Sequence, residues 1–415
     1  MAIVRPFKAL RPKKEIASKV ASVPYDVVNR EEAKKIIDGN ELCFLRIGRA
    51  ESTLNDSIDA YSQEVYKKAK ENLDKLINNA PLIQDETPRF YLYQLIMDGR
   101  TQTGIVATFS VEDYENNVVL KHENTRKEKE DDRTNHIITT SAQTGPVFLT
   151  YKGINKINEL VNKTITNKEP EYDFIADDGI THKIWLLPEE LNSVIIEELK
   201  NVKSLYIADG HHRVASAWRA RNEKRENNPN HSDEEEYNYF LAVLFPAEQL
   251  NILAYNRIVQ DLNSLSKGEF LNRINDKFSV EKTEDKEPTE VKTFCMYLDG
   301  EWYKLKARDS VIASNSLSNS LGEKLDVSIL QNFLLNPILG IDDVRTNKRI
   351  DFVGGIRGTT ELEKLVNNGK AAVAFSLHPL SVDDLINISD AGEIMPPKST
   401  WFEPKLRDGL IIHLI

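Results

Sequence analysis

Five consecutive residues near the middle of the chain carry the side chains best suited to chemistry. They are Asp209, Gly210, His211, His212 and Arg213, which combine one carboxylate, two imidazoles and one guanidinium. The apolar, β-prone run 205–208 precedes them, and residues 214–224 place alanines and a tryptophan at helical spacing. This pattern predicts a strand-to-helix turn with Gly210 at the corner.

A helix that begins directly after a glycine presents unpaired main-chain N–H groups and the positive end of its dipole, which suits a phosphate. We therefore predict that Gly210, His211 and His212 hold phosphate, with Arg213 adding a bidentate contact. Asp209 and both imidazoles are candidates for acid–base or charge-stabilising roles. A structural alternative also stays open, in which Asp209 only caps the helix and the histidines are half exposed.

A second cluster lies in the charged run 121–133, which mixes both charge signs. Glu123 is suited to act as a general base or a magnesium ligand, and His122 beside it is a candidate substrate contact. Lys129 and Arg133 are suited to neutralise phosphate. The alternative is a solvated helix start stabilised by Glu–Lys pairs.

Composition sets limits on the function. With 415 residues, of which 40% are apolar and 29% charged, the chain has the length and composition of a globular protein of two or three domains. Its net charge of −11 argues against a nucleic-acid partner. The two cysteines lie far apart, and no His-x-x-x-His spacing occurs, so neither a disulfide framework nor a zinc site is supported. Because no signal peptide or membrane-spanning stretch is visible, we expect a cytoplasmic protein without a membrane partner.

The order of predicted elements indicates an α+β protein, with mixed sheets and flanking helices. We predict an N-terminal region over 1–120, a central region over 121–262 and a C-terminal region over 263–415. Residues 221–236 are interpreted as a solvated loop that extends the central helix. Periodicity and turn signals predict helices over 30–38, 59–78, 189–200, 214–224 and 267–278, and strands over 90–97, 101–110, 147–151, 205–208 and 239–245.

Four strings occur in a fixed order along the chain. They are Val23-Pro24-Tyr25-Asp26, His122-Glu123-Asn124-Thr125 with Asp132-Arg133, Ala208-Asp209-Gly210-His211-His212-Arg213, and Met395-Pro396-Pro397-Lys398-Ser399-Thr400. In this order they resemble the widespread family called domain of unknown function 1015. The resemblance runs over nearly the whole chain.

The central string also resembles the phosphate-binding box of the ParB/sulfiredoxin superfamily, which implies a nucleotide-binding region of that type. His211 stands where sulfiredoxins have their nucleophilic cysteine, so sulfinic-acid reduction is disfavoured. The helix-turn-helix region of ParB is not apparent. The box is most similar to the Asp-Gly-His-His-Arg-like box of free-serine kinases, which implies phosphorylation of serine with ATP or ADP.

Together these features predict a magnesium-dependent kinase with ATP or ADP as cofactor, acting on the hydroxyl of free L-serine or a similar small metabolite. In this hypothesis Glu123 or Asp209 accepts the hydroxyl proton, and Asp26 and Lys398 bind the ammonium and carboxylate of the substrate. Two alternatives remain: a nucleotide-binding regulatory protein without turnover, and a metal-dependent hydrolase. We also consider a homodimer as the assembly of the protein.

Overall fold

The computed structural model describes residues 1–79 and 82–415, and the chain divides into two compact units. The first unit comprises Met1–Lys121, Thr125–Leu250 and Pro404–Ile415. The second comprises His122–Asn124 and Asn251–Glu403. The chain therefore leaves the first unit twice and returns to it with its last twelve residues.

The helices and strands of the described residues are numbered in chain order. The α-helices are α1 (Ala17–Val20), α2 (Arg30–Ile37), α3 (Leu45–Gly48), α4 (Gln63–Asn79), α5 (Val111–Glu115), α6 (Lys127–Thr140), α7 (Asn155–Asn167), α8 (Asn192–Lys200), α9 (His211–Asn227), α10 (Lys267–Asn275), α11 (Asp309–Ser316), α12 (Asp326–Leu330), α13 (Gly358–Asn367) and α14 (Val382–Asp390). The β-strands are β1 (Val4–Arg5), β2 (Leu10–Pro12), β3 (Leu82–Gln84), β4 (Tyr91–Met97), β5 (Arg100–Ser110), β6 (Val119–Leu120), β7 (Ala142–Gln143), β8 (Val147–Tyr151), β9 (Tyr172–Ile175), β10 (Thr181–Leu186), β11 (Leu205–Asp209), β12 (Tyr239–Pro246), β13 (Ile252–Leu253), β14 (Tyr255–Val259), β15 (Phe278–Lys282), β16 (Thr293–Leu298), β17 (Glu301–Ala307), β18 (Ile350–Gly354), β19 (Val373–Leu377), β20 (Trp401–Phe402) and β21 (His413–Leu414).

A nine-stranded mixed sheet forms the centre of the first unit. Its strand order is β6-β11-β8-β12-β5-β4-β10-β9, with β1 paired beside β5. The pairs β6–β11 and β8–β12 are parallel, whereas β11 runs antiparallel to β8. As a result, the end of β11 lies beside the start of β8, where Asp209 pairs with Phe148.

Apolar side chains on β5, β8, β11 and β12 build the main core of this unit with residues from α7, α8 and α9. The strands are buried on both faces, which is why they are continuous apolar runs and not alternating ones. Val214 and Ala217 of α9 belong to this core, so burial of apolar surface fixes the helix against the sheet. The start of α9 is thereby anchored to the end of β11.

The second unit contains a six-stranded sheet in the order β15-β17-β16-β19-β14-β18. All of its pairings are antiparallel. Helix α13 packs Leu362, Leu365 and Val366 against apolar residues of this sheet, among them Cys295 and Ala374. A short β13–β20 pair joins the beginning of the unit to its end.

The predicted fold class, α+β with mixed sheets and flanking helices, is confirmed. Strands from the predicted regions 1–120 and 121–262 lie in one sheet, so these two regions share a core. The division into three regions stays a prediction. None of the helices in the described ranges combines the length and apolar character needed to cross a lipid bilayer.

Several element boundaries differ from the prediction. The sequence predicts a helix only after the polar stretch 121–133, but helix α6 already begins at Lys127. Its charged first turns pack on α9, where Ser216 donates to the carbonyl of Glu130 and Arg219 pairs with Asp131. Helix α9 continues to Asn227, so the first part of the predicted loop 221–236 is helical. Helix α7 and strand β15 were not predicted.

Candidate functional site

The predicted strand-to-helix turn is present at the end of β11. Gly210 has φ of 92°, a left-handed conformation that residues with a Cβ rarely adopt. The amide of Gly210 donates to Asp209 Oδ1 at 2.9 Å, and the amides of Arg213 and Val214 both donate to the Gly210 carbonyl. No side chain caps the N-terminus of α9. The N-cap residue is thus a glycine, and the Asp209 carboxylate bonds to the amide of that glycine. The choice between a phosphate site and a purely structural turn stays a prediction.

Asp209 forms an ion pair with Lys405, whose Nζ lies 2.7 Å from Asp209 Oδ2. Lys405 belongs to the terminal segment of the same unit, 196 positions along the chain. Burial raises the pKa of the Asp209 carboxyl, but the positive charges of Lys405, Arg213 and His211 outweigh it and hold this pKa below its usual value. Asp209 is therefore an ionised hydrogen-bond acceptor at neutral pH and a weak base.

Arg213 is engaged by a second residue of the terminal segment. Its Nη1 and Nη2 donate to the two carboxylate oxygens of Asp408 at 2.8 and 3.1 Å, a bidentate geometry. Both side chains are largely buried, with exposed fractions of 15% and 5%. A Cβ on Gly145 would lie 1.8 Å from Arg213 Nη1 and 2.1 Å from Asp408 Oδ1, so only glycine allows the main chain this close to the pair.

Tyr25 links Arg213 to a second arginine. The guanidinium of Arg133 lies 4.1 Å from the centre of the Tyr25 ring, and that of Arg213 lies 5.6 Å from it. Arg133 pairs with Asp132 at 2.9 Å, and Tyr66 donates to the other oxygen of Asp132. Burial raises the pKa of Tyr25, so its ring stays neutral between the two cations.

These residues border two small adjoining cavities of the first unit. Asp26, Asp209, Gly210 and Lys405 line one of them, and Arg213 lies on the boundary to the other. The second cavity is lined by Tyr25, Arg133 and His136 among others.

His136 Nε2 donates to the carbonyl of Ile47 at 3.1 Å. Burial, with the nearby charge of Arg133, lowers the pKa of His136 to about 3. This imidazole is therefore neutral at physiological pH.

The remaining predicted residues of the first unit occupy distinct places. His212 Nε2 accepts the amide N–H of Arg126 at 3.1 Å, which ties the start of α9 to the start of α6. His211 is buried, with 7% of its surface exposed. Lys129 donates to the Tyr61 hydroxyl at 2.5 Å and lies 5.1 Å from the centre of that ring.

His122, Glu123 and Lys398 belong to the second unit. There His122 Nε2 lies 3.3 Å from Thr400 Oγ1, and the His122 carbonyl accepts the amide of Met395 at 2.8 Å. The structure thus joins the string that begins at His122 to the Pro-Pro-Lys string. The other two strings meet in the first unit, through Tyr25 and Arg213, and the Asp132-Arg133 part of the second string contacts Tyr25 there.

Three residues of the first unit's site have no predicted role: Lys405, Asp408, and Tyr25, which stands in the first of the four strings. A signal existed for two of them, because Lys405-Leu406-Arg407-Asp408-Gly409 places three charges and a turn glycine before the apolar end of the chain. Nothing in that run indicates its partners. The site can therefore bind an anion through a helix N-terminus and two cations, Arg213 and Lys405. Asp408 and Asp209 balance the charges of these two cations.

Solved structures similar to this chain include three of low identity. A conserved hypothetical protein from Pyrococcus furiosus aligns over 74% of this chain and 95% of its own length, with 11% identity and a TM-score of 0.36. A free serine kinase in complex with AMP aligns over 74% and 91%, with 11% identity and a TM-score of 0.35. SbnI with a C-terminal truncation, from Staphylococcus aureus, aligns over 74% and 87%, with 12% identity and a TM-score of 0.38.

No curated protein matches the sequence. The family model described as "Protein of unknown function (DUF1015)" matches residues 4–328, which is more than three quarters of the chain. That span includes three of the four strings and both strands that lead into the site, β8 and β11. The match confirms the predicted relationship, and the chain belongs to this family.

Proposed function

We propose that this protein is a nucleotide-dependent kinase that phosphorylates the hydroxyl of free L-serine or a similar small metabolite. One observation carries the proposal: the uncapped N-terminus of α9 begins at the left-handed Gly210, and Asp26, Arg213 and Lys405 border the same cleft. This arrangement suits the terminal phosphates of ATP or ADP.

In this proposal, phosphate is bound by main-chain and cationic groups. The amides of His211 and His212 donate to the phosphate oxygens, whereas the Gly210 amide stays on Asp209 Oδ1. Lys405 turns from Asp209 to a phosphate oxygen when nucleotide enters. Arg213 and Arg133, held by their carboxylates and by Tyr25, supply a fixed positive field. Lys129 adds charge at the more exposed end of α6.

The transfer step requires a nucleophile, a proton acceptor and a leaving group. The acceptor hydroxyl oxygen forms a bond to the terminal phosphorus, the bond to the bridging oxygen breaks, and the nucleotide leaves with one phosphate fewer. When Lys405 moves to the phosphate, Asp209 loses the main charge that lowers its pKa, and in this scheme its carboxylate accepts the hydroxyl proton. His211 or His212 stabilises charge on the transferred group. Asp26 fits a magnesium ion, because an exposed carboxylate at the cleft is the ligand type that Mg²⁺ prefers. Bound Mg²⁺ would neutralise phosphate charge.

The roles predicted for Glu123 as a base, and for His122 and Lys398 as substrate contacts, concern the second unit and stay predictions. The role predicted for Asp26 as the contact of the substrate ammonium also stays a prediction. The same holds for the homodimer and for the nucleotide preference.

The test is a phosphoryl-transfer screen. Purified full-length protein, Mg²⁺ and either ATP or ADP are incubated with a panel of hydroxyl-bearing amino acids, and phosphorylated products are identified by mass spectrometry. We expect phosphoserine from the wild type and its loss in Arg213→Ala. Arg345→Ala is the matched control, because Arg345 is exposed on the second unit and pairs only locally with Asp343.

Each other outcome identifies an alternative. Nucleotide binding without any product would favour the regulatory protein. Nucleotide hydrolysis that depends on a transition metal and ignores the acceptors would favour the hydrolase. Phosphoserine from Arg213→Ala at the wild-type rate would show that the site is assigned to the wrong residues.

A further inference from the structure

The second unit contains a buried cation whose charge no acidic residue balances. Arg257 lies on β14, the strand next to the edge strand β18 of the six-stranded sheet, with 3% of its surface exposed. Its Nη1 donates to the carbonyl of Tyr255, and its Nη2 donates to the carbonyl of Lys398 at 3.2 Å. Within residues 1–79 and 82–415, no carboxylate forms an ion pair with it.

This situation is costly, because a buried charge without a counter-charge loses several kcal/mol of hydration free energy. The other buried arginines of the chain show the usual solution: Arg11 pairs with Asp85 and Arg213 with Asp408. For Arg257, burial lowers the pKa to about 10, although the interaction with Tyr255 raises it. Carbonyl oxygens and the ring of Phe352, 5.5 Å away, compensate only part of the charge. A buried charge that is compensated only in part is typical of functional sites.

A second cation is fixed beside it by the backbone. Lys398 has φ of 58°, a left-handed conformation that is strained for a residue with a side chain. The hydrogen bond from Arg257 to its carbonyl holds this conformation. The Lys398 ammonium lies 5.5 Å from the centre of the Tyr255 ring, and Tyr255 shares a face of β14 with Arg257.

The loop that carries Lys398 is anchored on both sides. Met395 donates its amide to the His122 carbonyl, and Thr400 contacts the His122 ring. Ser399 donates to the carbonyl of Pro396, which closes the turn around Lys398. Position and backbone of Lys398 are therefore set before any ligand arrives, which reduces the entropic cost of binding.

We propose that Arg257 and Lys398 form an anion-binding site of the second unit. The site takes the carboxylate or phosphate group of a small ligand. Arginine is suited to both groups, because its planar fork matches two oxygens, and Lys398 adds a point charge. Tyr255 and His122 hold Lys398 in place as positioning residues.

The test measures where anions bind on the full-length protein. Inorganic phosphate and acetate are titrated separately at constant ionic strength, and hydrogen–deuterium exchange is followed by mass spectrometry. We expect slower exchange in peptides covering 255–259 and 395–402 with at least one of the two anions. Which anion acts distinguishes a phosphate ligand from a carboxylate ligand. Protection confined to peptides around 205–213 reports only the first unit's site and would overturn this proposal.

Variants complete the test. Arg257→Met and Lys398→Gln are each expected to weaken anion binding at these peptides at least tenfold, measured by calorimetry. Lys364→Gln is the matched control, because this lysine is exposed on α13 and pairs only with Glu361. If Arg257→Met does not fold, Lys398→Gln alone decides. If Lys398→Gln binds the anion with wild-type affinity, Arg257 only stabilises the loop through its hydrogen bond to the Lys398 carbonyl, and the proposal fails.

Discussion

The ion pair between Arg213 and Asp408 connects the phosphate site to the end of the chain, and its removal gives a sharp prediction. In Asp408→Asn, one neutral amide replaces a carboxylate that receives two guanidinium N–H groups at 2.8 and 3.1 Å. The side chain keeps its size and one acceptor oxygen. The change therefore removes charge with little change in packing.

The expected cost follows from burial. With only 15% of Arg213 and 5% of Asp408 exposed, water cannot solvate the guanidinium that is left without a counter-charge. Removing one partner of a buried pair costs about 3–5 kcal/mol. Because asparagine retains one hydrogen bond, we expect a loss of about 3 kcal/mol for the first unit. In the double variant with Arg213→Met the loss is expected to be smaller than the sum of the single losses, since no uncompensated charge remains.

The measurement must resolve the first unit from the second. Urea unfolding followed by hydrogen–deuterium exchange in peptides covering 205–213 and 404–409 gives the free energy of unfolding of this unit. Asp173→Asn is the matched control: Asp173 pairs with Lys183 on the same sheet, but 46% of its side chain is exposed. Its expected loss is below about 1 kcal/mol.

Two results would refute the reasoning. The first is a loss for Asp408→Asn no larger than that for Asp173→Asn. The second is strict additivity in the double variant, which would show that the two side chains do not stabilise one another.

Three further predictions concern the first unit. Gly145→Ala places a methyl group 1.8 Å from Arg213 Nη1, so the affinity for nucleotide is expected to fall at least as far as in Arg213→Ala. Gly268→Ala is the control, because a methyl group there meets open space and should leave the affinity unchanged. The affinity is measured by fluorescence titration with ADP. Lys405→Gln leaves Asp209 without its ion pair and removes a phosphate contact, so ADP affinity is expected to fall about tenfold, a loss of about 1.4 kcal/mol of binding free energy. An unchanged affinity would show that Lys405 does not belong to the site. Burial lowers the pKa of His136 and of His182 to about 3, so between pH 6.5 and 3 the unfolded chain binds protons that the folded chain does not. From pH 6.5 to 5 the free energy of unfolding is expected to fall by about 1.6 kcal/mol per histidine. Urea unfolding of His136→Gln and His182→Gln should show a shallower pH dependence, and an unchanged slope contradicts the assignment.

Local features of the site were predictable because their causes are local. The apolar run 205–208, the turn glycine and the alanine-rich continuation specify β11, the left-handed Gly210 and α9, and the structure has all three. Helix α2 likewise begins where Asn29 and Glu32 form a capping box. The boundary of α6 was missed, because its charged turns are stabilised by partners on α9, and charge alone does not reveal where such partners are.

The sequence by itself determined the family, through four ordered strings, and the types of functional group present at the Asp209–Arg213 turn. Only the tertiary structure decided which strings meet. It joins the Tyr25 and Arg213 strings in the first unit and the His122 and Lys398 strings in the second, and it brings Lys405 and Asp408 to Asp209 and Arg213 across about 200 residues. Helical and strand periodicities record which face of an element is buried, but not what covers it. An ion pair between distant segments leaves no spacing in the sequence, because it depends on how the sheet orders its strands and where the chain returns.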